Sequence, residues 1–139
     1  MIQAGLDLDF DLTNLAVIGI AEVLPKLREF YRVADIAEGC FRRGEVDGVV
    51  LVDFPGFNWH IAKRAKKYDI PVFYYLPPQL WAWGSWRVKK MRRYVDRVLC
   101  NLPFEQEWYE KHDIKTTYVG HPFFDAISET LLDAKFVSR

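Results

Sequence analysis

The sequence contains no apolar run approaching the ~20 residues that cross a bilayer as a helix. Its first residues, MIQAGLDLDFDL, lack the basic start and apolar core of a secretory signal, so a cytoplasmic protein is expected. Cysteine is scarce. Cys40 and Cys100 stand far apart in no metal-ligand or CxxC spacing, which excludes a disulfide scaffold and predicts two reduced, largely buried thiols. No Ser-His-Asp or Cys-His order stands out and no metal constellation is present, so neither a metal nor a cofactor is expected. No glycine-rich cradle of the dinucleotide type occurs. Repeats and low-complexity linkers are missing too.

Net charge is also lacking: 19 basic residues balance 19 acidic ones. The balance conceals an asymmetry. From Lys63 to Arg97 ten Lys or Arg residues face only Asp69 and Asp96, whereas acids outnumber bases before Lys63. Five of the ten fall in one run, Arg87, Lys89, Lys90, Arg92 and Arg93. Such a run either solvates a helix face or meets an anionic lipid surface, a nucleotide phosphate or nucleic acid.

What is present describes a globular domain. The 139 residues are 50% hydrophobic and 27% charged, enough for one core. Apolar residues Leu24, Leu27, Tyr31, Ala34 and Phe41 keep helical spacing, which predicts a helix over 21–43 with Pro25 in its first turn and Gly44 as its stop. GVVLVD, ending at Asp53, reads as a buried strand. Asn58 then serves as a cap for a helix to about Tyr68. PVFYYL is the next strand. A loop holding PPQLWAWGS leads to a basic helix over 86–94. Arg97 to Cys100 makes a third strand, Pro103 opens a helix to Glu110 or Lys111, and Thr117 to Val119 makes a fourth strand. A last helix is expected over 124–134. Strands alternating with helices at this spacing imply a parallel sheet, a Rossmann-like doubly wound α/β domain. In such sheets ligands bind beyond the carboxyl ends of the strands. Asp53, the loop from Leu76 to Trp83, Asn101, Gly120 and His121 all fall at that edge.

Several of these residue types suit chemistry. A carboxylate at a strand end, partly desolvated, suits a general base, and equally suits a cap on the following turn. Trp81, Trp83 and Trp86 suit stacking on sugars or bases, or lining an acyl groove, although packing of the loop accounts for one or two of them. His121 suits an acid, a phosphate donor or a hydroxyl partner, against a structural role.

Four stretches, in order, also resemble one known family. LAVIGIAEVLPKL (15–27) is similar to its LAVMG-x-x-EVL signature and VLVDFPGFN (50–58) to its D-x-P-[DG]-F-N segment. YYLPPQLWAWGSWRVKKM (74–91) resembles its Y-x-x-P-x-x-WAW-x-x-x-R element, and NLPFEQEWYEKHDIKTTYVGHPFFDAI (101–127) its LPFE…FVGHP run. The family is lipid-A-disaccharide synthase. The resemblance implies the first Rossmann-like domain of a GT-B glycosyltransferase, carrying out an inverting transfer without a metal. Its substrates would be UDP-2,3-diacylglucosamine and 2,3-diacylglucosamine 1-phosphate. Asp53 matches the family aspartate proposed as general base for the attacking hydroxyl or as its positioner, and substrate contacts are expected from Asn58, Pro78, Gln79, Trp81, Trp83, Arg87 and His121. Arg87, Lys89, Lys90, Arg92 and Arg93 are expected to seat the protein peripherally on the cytoplasmic face of the inner membrane. Pro77, Gln79 and Gly56 depart from residues common in the family. The family's opening strand with a G-E-x-S-G-D loop, and the L-P-G-S-R segment of its nucleotide-binding domain, have no counterpart in these 139 residues. The expectation is therefore a partial N-terminal domain over 1–139, inactive alone, without the C-terminal nucleotide-sugar domain. A non-catalytic remnant or membrane-surface module is the alternative. A nucleic-acid binder lacks any supporting motif.

Overall fold

The structure, a computed structural model, describes residues 20–129 together with Gly5 and Asp7; within the long run, side chains are described from Arg28 to Ser128. Of the first signature, residues 15–19 lie outside the described residues and 20–27 are described in backbone only; the end of the expected last helix, 130–134, also lies outside.

The long amphipathic segment is a helix, α1 (Ile20–Arg43). Its stop is the expected one. Gly44 takes a left-handed φ of 70°, and the amides of Gly44 and Glu45 reach back to the carbonyls of Phe41 and Cys40 at 3.1 and 3.2 Å. That double closure satisfies carbonyls the helix leaves open, and glycine adopts its φ without a Cβ penalty. Pro25 is a correction: it is the sixth helical residue, beyond the first turn, so the carbonyl one turn back loses its helical donor.

Four short strands follow, β1 (Val49–Val52), β2 (Val72–Tyr75), β3 (Arg97–Cys100) and β4 (Thr116–Tyr118). They pair in parallel in the order β1-β2-β3-β4, with Leu51 beside Tyr74, Tyr74 beside Val98 and Val98 beside Thr116. Between them run α2 (Pro55–Ala65) with a 3₁₀ turn over Lys66–Tyr68, a 3₁₀ turn Ser85–Arg87 leading into α3 (Val88–Tyr94), and α4 (Pro103–Glu110); α5 (Pro122–Glu129) comes last. The α/β Rossmann-like reading therefore holds.

Sequential strand order with one crossover hand places the connecting helices on one side of the sheet. Burial agrees. Leu51, Val72, Tyr74, Val98 and Cys100, alternate residues sharing one face, join Phe30 and Ala34 of α1, Ala62 and Ala65 of α2, Met91 of α3 and Tyr109 of α4 in a single core. The opposite face carries Val50, Val52, Phe73, Tyr75 and Leu99, exposed or half-buried, and Val50 is 61% exposed. The apolar run of β1 was expected to be buried on both faces; among the described residues only one face is covered.

Ion pairs tie α1 to α2. Arg64 reaches Asp35 at 2.9 Å and Glu38 at 2.8 Å, and Lys67 meets Glu38 at 2.8 Å. Lys66 donates to both carboxylate oxygens of Asp96 at 2.8 Å, and Asp96 Oδ2 also accepts the amide of Val72 at 2.7 Å. Three of the ten bases in the positive segment are thus neutralised within the fold.

Candidate functional site

The site begins where β1 ends. Asp53 and Phe54 are consecutive left-handed residues, with φ of 44° and 42°, a conformation that costs a non-glycine residue about 1–3 kcal/mol. Pro55 at the first helical position, with φ already suited to a helix, starts α2 four residues earlier than a cap at Asn58 would. Asn58 is therefore not the cap. It lies inside α2, buried, and its amide donates to the carbonyls of Val52 at 3.1 Å and Asp53 at 2.5 Å. The phenol of Tyr74, fully buried on the neighbouring strand, donates to the same Asp53 carbonyl at 2.8 Å. Burial pushes that phenol far above its ordinary value, so it stays a donor. Together the two side chains hold the backbone of the strained turn and leave the Asp53 carboxylate exposed. The partial desolvation expected around that carboxylate is not supplied by the described residues.

Beside the turn opens a cleft of about 580 Å³. Asp53 and Pro55 line it from the β1 edge, Pro78, Gln79 and Trp83 from the loop after β2, and Trp86, Arg87 and Asn101 complete it. Leu76 in that loop is also left-handed, with φ of 51°. Trp83 and Trp86 are 80% and 69% exposed, an unusual outlay of apolar surface for core residues. The Arg87 guanidinium lies 4.6 Å from the centre of the Trp86 ring, a cation–π arrangement. The cleft can thus offer a carboxylate, a guanidinium, two amide side chains and two indole rings to one ligand.

Five of the eight catalytic and substrate-binding residues expected from sequence meet here: Asp53, Pro78, Gln79, Trp83 and Arg87. Three do not. Asn58 sits behind the turn. Trp81 turns towards α4, donating Nε1–H to Glu105 Oε1 at 2.9 Å and resting edge-on against Phe104 at 4.9 Å. His121 follows β4, roughly 14 Å across the sheet from β1 at the usual strand spacing. Its Nδ1 accepts the amide of Phe123 at 3.2 Å, so it caps α5 and carries its proton on Nε2 when neutral. His60 and His112 were not singled out, and His112 Nδ1 meets the carbonyl of Trp108 at 2.8 Å.

The basic run behaves as one surface. Val88 and Met91 bury the inner side of α3, while Lys89, Lys90, Arg92 and Arg93 are exposed. None of them, nor Arg87, has an ion-pair partner among the described residues. Both cysteines are free, and burial pushes the Cys100 thiol up to about 11, helped by the charge of Glu105, which leaves it inert near neutrality. Among the described residues no group of three or more His, Cys, Asp or Glu is placed to hold a metal, and no helix is long and apolar enough to cross a membrane.

Sequence reasoning missed Tyr74, Glu105 and Tyr109, which support the site from below. Glu105 left a signal: it is the third helical residue after Leu102, where a carboxylate accepts the preceding amide, here at 3.3 Å. The two tyrosines left none, because an aromatic residue in a strand or on an apolar helix face reads as core.

The chain is also similar in sequence to known proteins. A family model described as lipid-A-disaccharide synthetase matches residues 1–136. A lipid-A-disaccharide synthase of Coxiella burnetii (strain Dugway 5J108-111) is 38% identical over 131 residues, 94% of this chain and 35% of that protein. Its counterparts from Syntrophus aciditrophicus (strain SB) and Myxococcus xanthus (strain DK1622) are each 40% identical, over 91% and 88% of this chain and 33% and 32% of theirs. The chain spans about a third of the length of these relatives, and across that third it belongs to the lipid-A-disaccharide synthase family.

Proposed function

We propose that this chain supplies the acceptor side of a glycosyl transfer that makes the β-1,6 lipid A disaccharide 1-phosphate. The cleft takes 2,3-diacylglucosamine 1-phosphate, with its sugar against Trp83 and Trp86, its phosphate towards Arg87 and its 6-hydroxyl at Asp53. The hydroxyl oxygen attacks the anomeric carbon of UDP-2,3-diacylglucosamine from the face opposite UDP. Asp53 accepts the hydroxyl proton, the bond to the UDP oxygen breaks, and UDP leaves with that electron pair. The anomeric centre inverts. Charge developing on UDP is met by residues outside these 139, so the chain alone turns over negligibly. The exposed bases of α3, beside exposed indoles, hold the cleft at the anionic cytoplasmic surface of the inner membrane, where both acylated substrates reside.

The observation that carries this reading is the Asp53 carboxylate, presented at the cleft by a strained turn that two buried side chains hold in place. A base within reach of the attacking hydroxyl contributes about 10²–10⁴-fold. Grafting these residues in place of the matching third of a full-length relative and replacing Asp53→Asn should lower kcat by that factor. KM should change little, since the amide fills the same space. An Asp53→Asn graft that transfers at the unsubstituted rate would remove Asp53 from the chemistry.

A further inference from the structure

Seven of the twelve residues lining the cleft lie on the loop 76–84, which has no helix or strand of its own. Its backbone is tied mostly to itself: Leu80 N reaches Pro78 O at 2.7 Å, while Ala82 N and Trp83 N reach Gln79 O at 3.1 and 3.3 Å. Among the described residues two side-chain hydrogen bonds bind this loop to another element, and both come from α4. The phenol of Tyr109 donates to the Pro78 carbonyl at 2.7 Å, and Glu105 accepts the Trp81 indole N–H at 2.9 Å.

We infer that Glu105 and Tyr109 are positioning residues that fix the shape of the cleft loop from beneath. They stand four residues apart, hence one above the other on one face of α4. Both are interior, 1% and 0% exposed, and neither lines the cleft. Capping of α4 explains only one of the Glu105 oxygens, the one that accepts the Leu102 amide. The other is spent on Trp81, a residue 37% exposed that has no packing need of a buried carboxylate. A carboxylate taken out of water keeps its place when hydrogen bonds satisfy its oxygens, and here each oxygen has a donor from a different segment. Tyr109 remains a donor because burial first, and the nearby Glu105 charge next, hold its phenol far above the ordinary value. The anchors fall on Pro78 and Trp81, on either side of Gln79 and shortly before Trp83. Fixing both leaves the intervening cleft residues little freedom and spares a ligand the cost of ordering them.

The anchoring stands on the geometry alone; its consequence for the acceptor rests on the proposed function. The test reads the indole N–H resonances of the chain's five tryptophans in the ¹⁵N-labelled protein. Trp81→Phe removes the donor from the exposed side and spares the α4 cap, so it remains informative where Glu105→Ala fails to fold. Trp81→Phe and Tyr109→Phe should each shift the Trp83 and Trp86 resonances, whereas Glu105→Gln, which keeps an acceptor, should leave them near their original positions. In the grafted full-length protein, Trp81→Phe should raise the acceptor KM about tenfold with kcat within about twofold. Unmoved Trp83 and Trp86 resonances in both Phe variants would overturn the anchoring. Shifted resonances with unchanged KM would overturn the positioning role. Shifted resonances with no transfer by the unsubstituted graft would leave the anchoring standing and remove the proposed function instead.

Discussion

At the scale of single residues, the turn at the end of β1 decides the site. Two successive left-handed residues, neither of them glycine, are stable only when their surroundings over-determine them. Asn58 and Tyr74 do that by converging on one carbonyl. Replacing Asn58→Ala leaves two backbone carbonyls without this donor, and urea denaturation should register a loss of about 1–3 kcal/mol. Asn58→Leu, similar in size, should lose at least as much; stability unchanged in both variants would mean that the turn is held by something else. Position was legible here and role was not. Asp53 reads from sequence as the end of a strand at the ligand edge, because a buried β-branched run simply stops there. Asn58 reads as a cap because such residues favour caps, but the Phe54–Pro55 junction already starts the helix and carries Asn58 inside it. His121 reads as a ligand-edge residue for the same topological reason as Asp53. The lateral distance across the sheet, which strand order alone determines, sets it apart from the cleft.

At the scale of elements, boundaries followed punctuation. Gly44 ends α1 and Pro103 opens α4 where the residues say they must, and Arg97–Cys100 is the strand expected. Where punctuation was weak the boundary moved: β4 runs Thr116–Tyr118, one residue earlier than expected, with Thr116 turned into the core. Pairing between elements was not legible at all, since nothing in the run of ten bases says which ones meet acids. The Lys66–Asp96 junction illustrates the consequence. Burial alone would raise the Asp96 pKa, but the Lys66 ammonium and the Val72 amide outweigh it and hold the carboxyl below its ordinary 3.8. A carboxyl lowered in the folded state adds stability above its unfolded value and loses it as pH falls through the folded one. Asp96→Asn should therefore cost stability at pH 7 and flatten the acid unfolding curve below pH 3.8. Parallel acid curves for the two proteins would contradict this. The partial exposure of the pair makes the increment modest.

At the scale of the whole molecule, charge and apolar surface are distributed in a way the composition conceals. A net charge of zero conceals bases paired along α2 and its 3₁₀ turn, and a basic helix that has no ion-pair partner among the described residues and lies beside exposed tryptophans. The sheet covers one face with helices and, among the described residues, leaves Val50, Val52, Phe73, Tyr75 and Leu99 on the other. Parallel sheets are ordinarily covered on both faces, so the apolar run of β1 is suited to more cover than these residues give it. The basic helix carries a prediction at this scale. Each base near an anionic surface is worth about 1 kcal/mol, so changing Arg87, Lys89, Lys90, Arg92 and Arg93 together to Gln should weaken binding to phosphatidylglycerol vesicles by more than about tenfold. Added salt should do the same to the unsubstituted chain. Binding indifferent to both would separate the helix from the membrane. Whether the cleft takes the acceptor is decided most directly by titrating 2,3-diacylglucosamine 1-phosphate, in neutral mixed micelles, into the chain while following tryptophan fluorescence. The predicted result is a saturable change that persists in Asp53→Asn, weakens in Arg87→Gln and is lost in a Trp83→Ala, Trp86→Ala double variant with Trp59, Trp81 and Trp108 intact. Saturation of the same affinity in all four proteins, monitored by calorimetry where the double variant is dark, would place the acceptor elsewhere and contradict the assignment of this cleft.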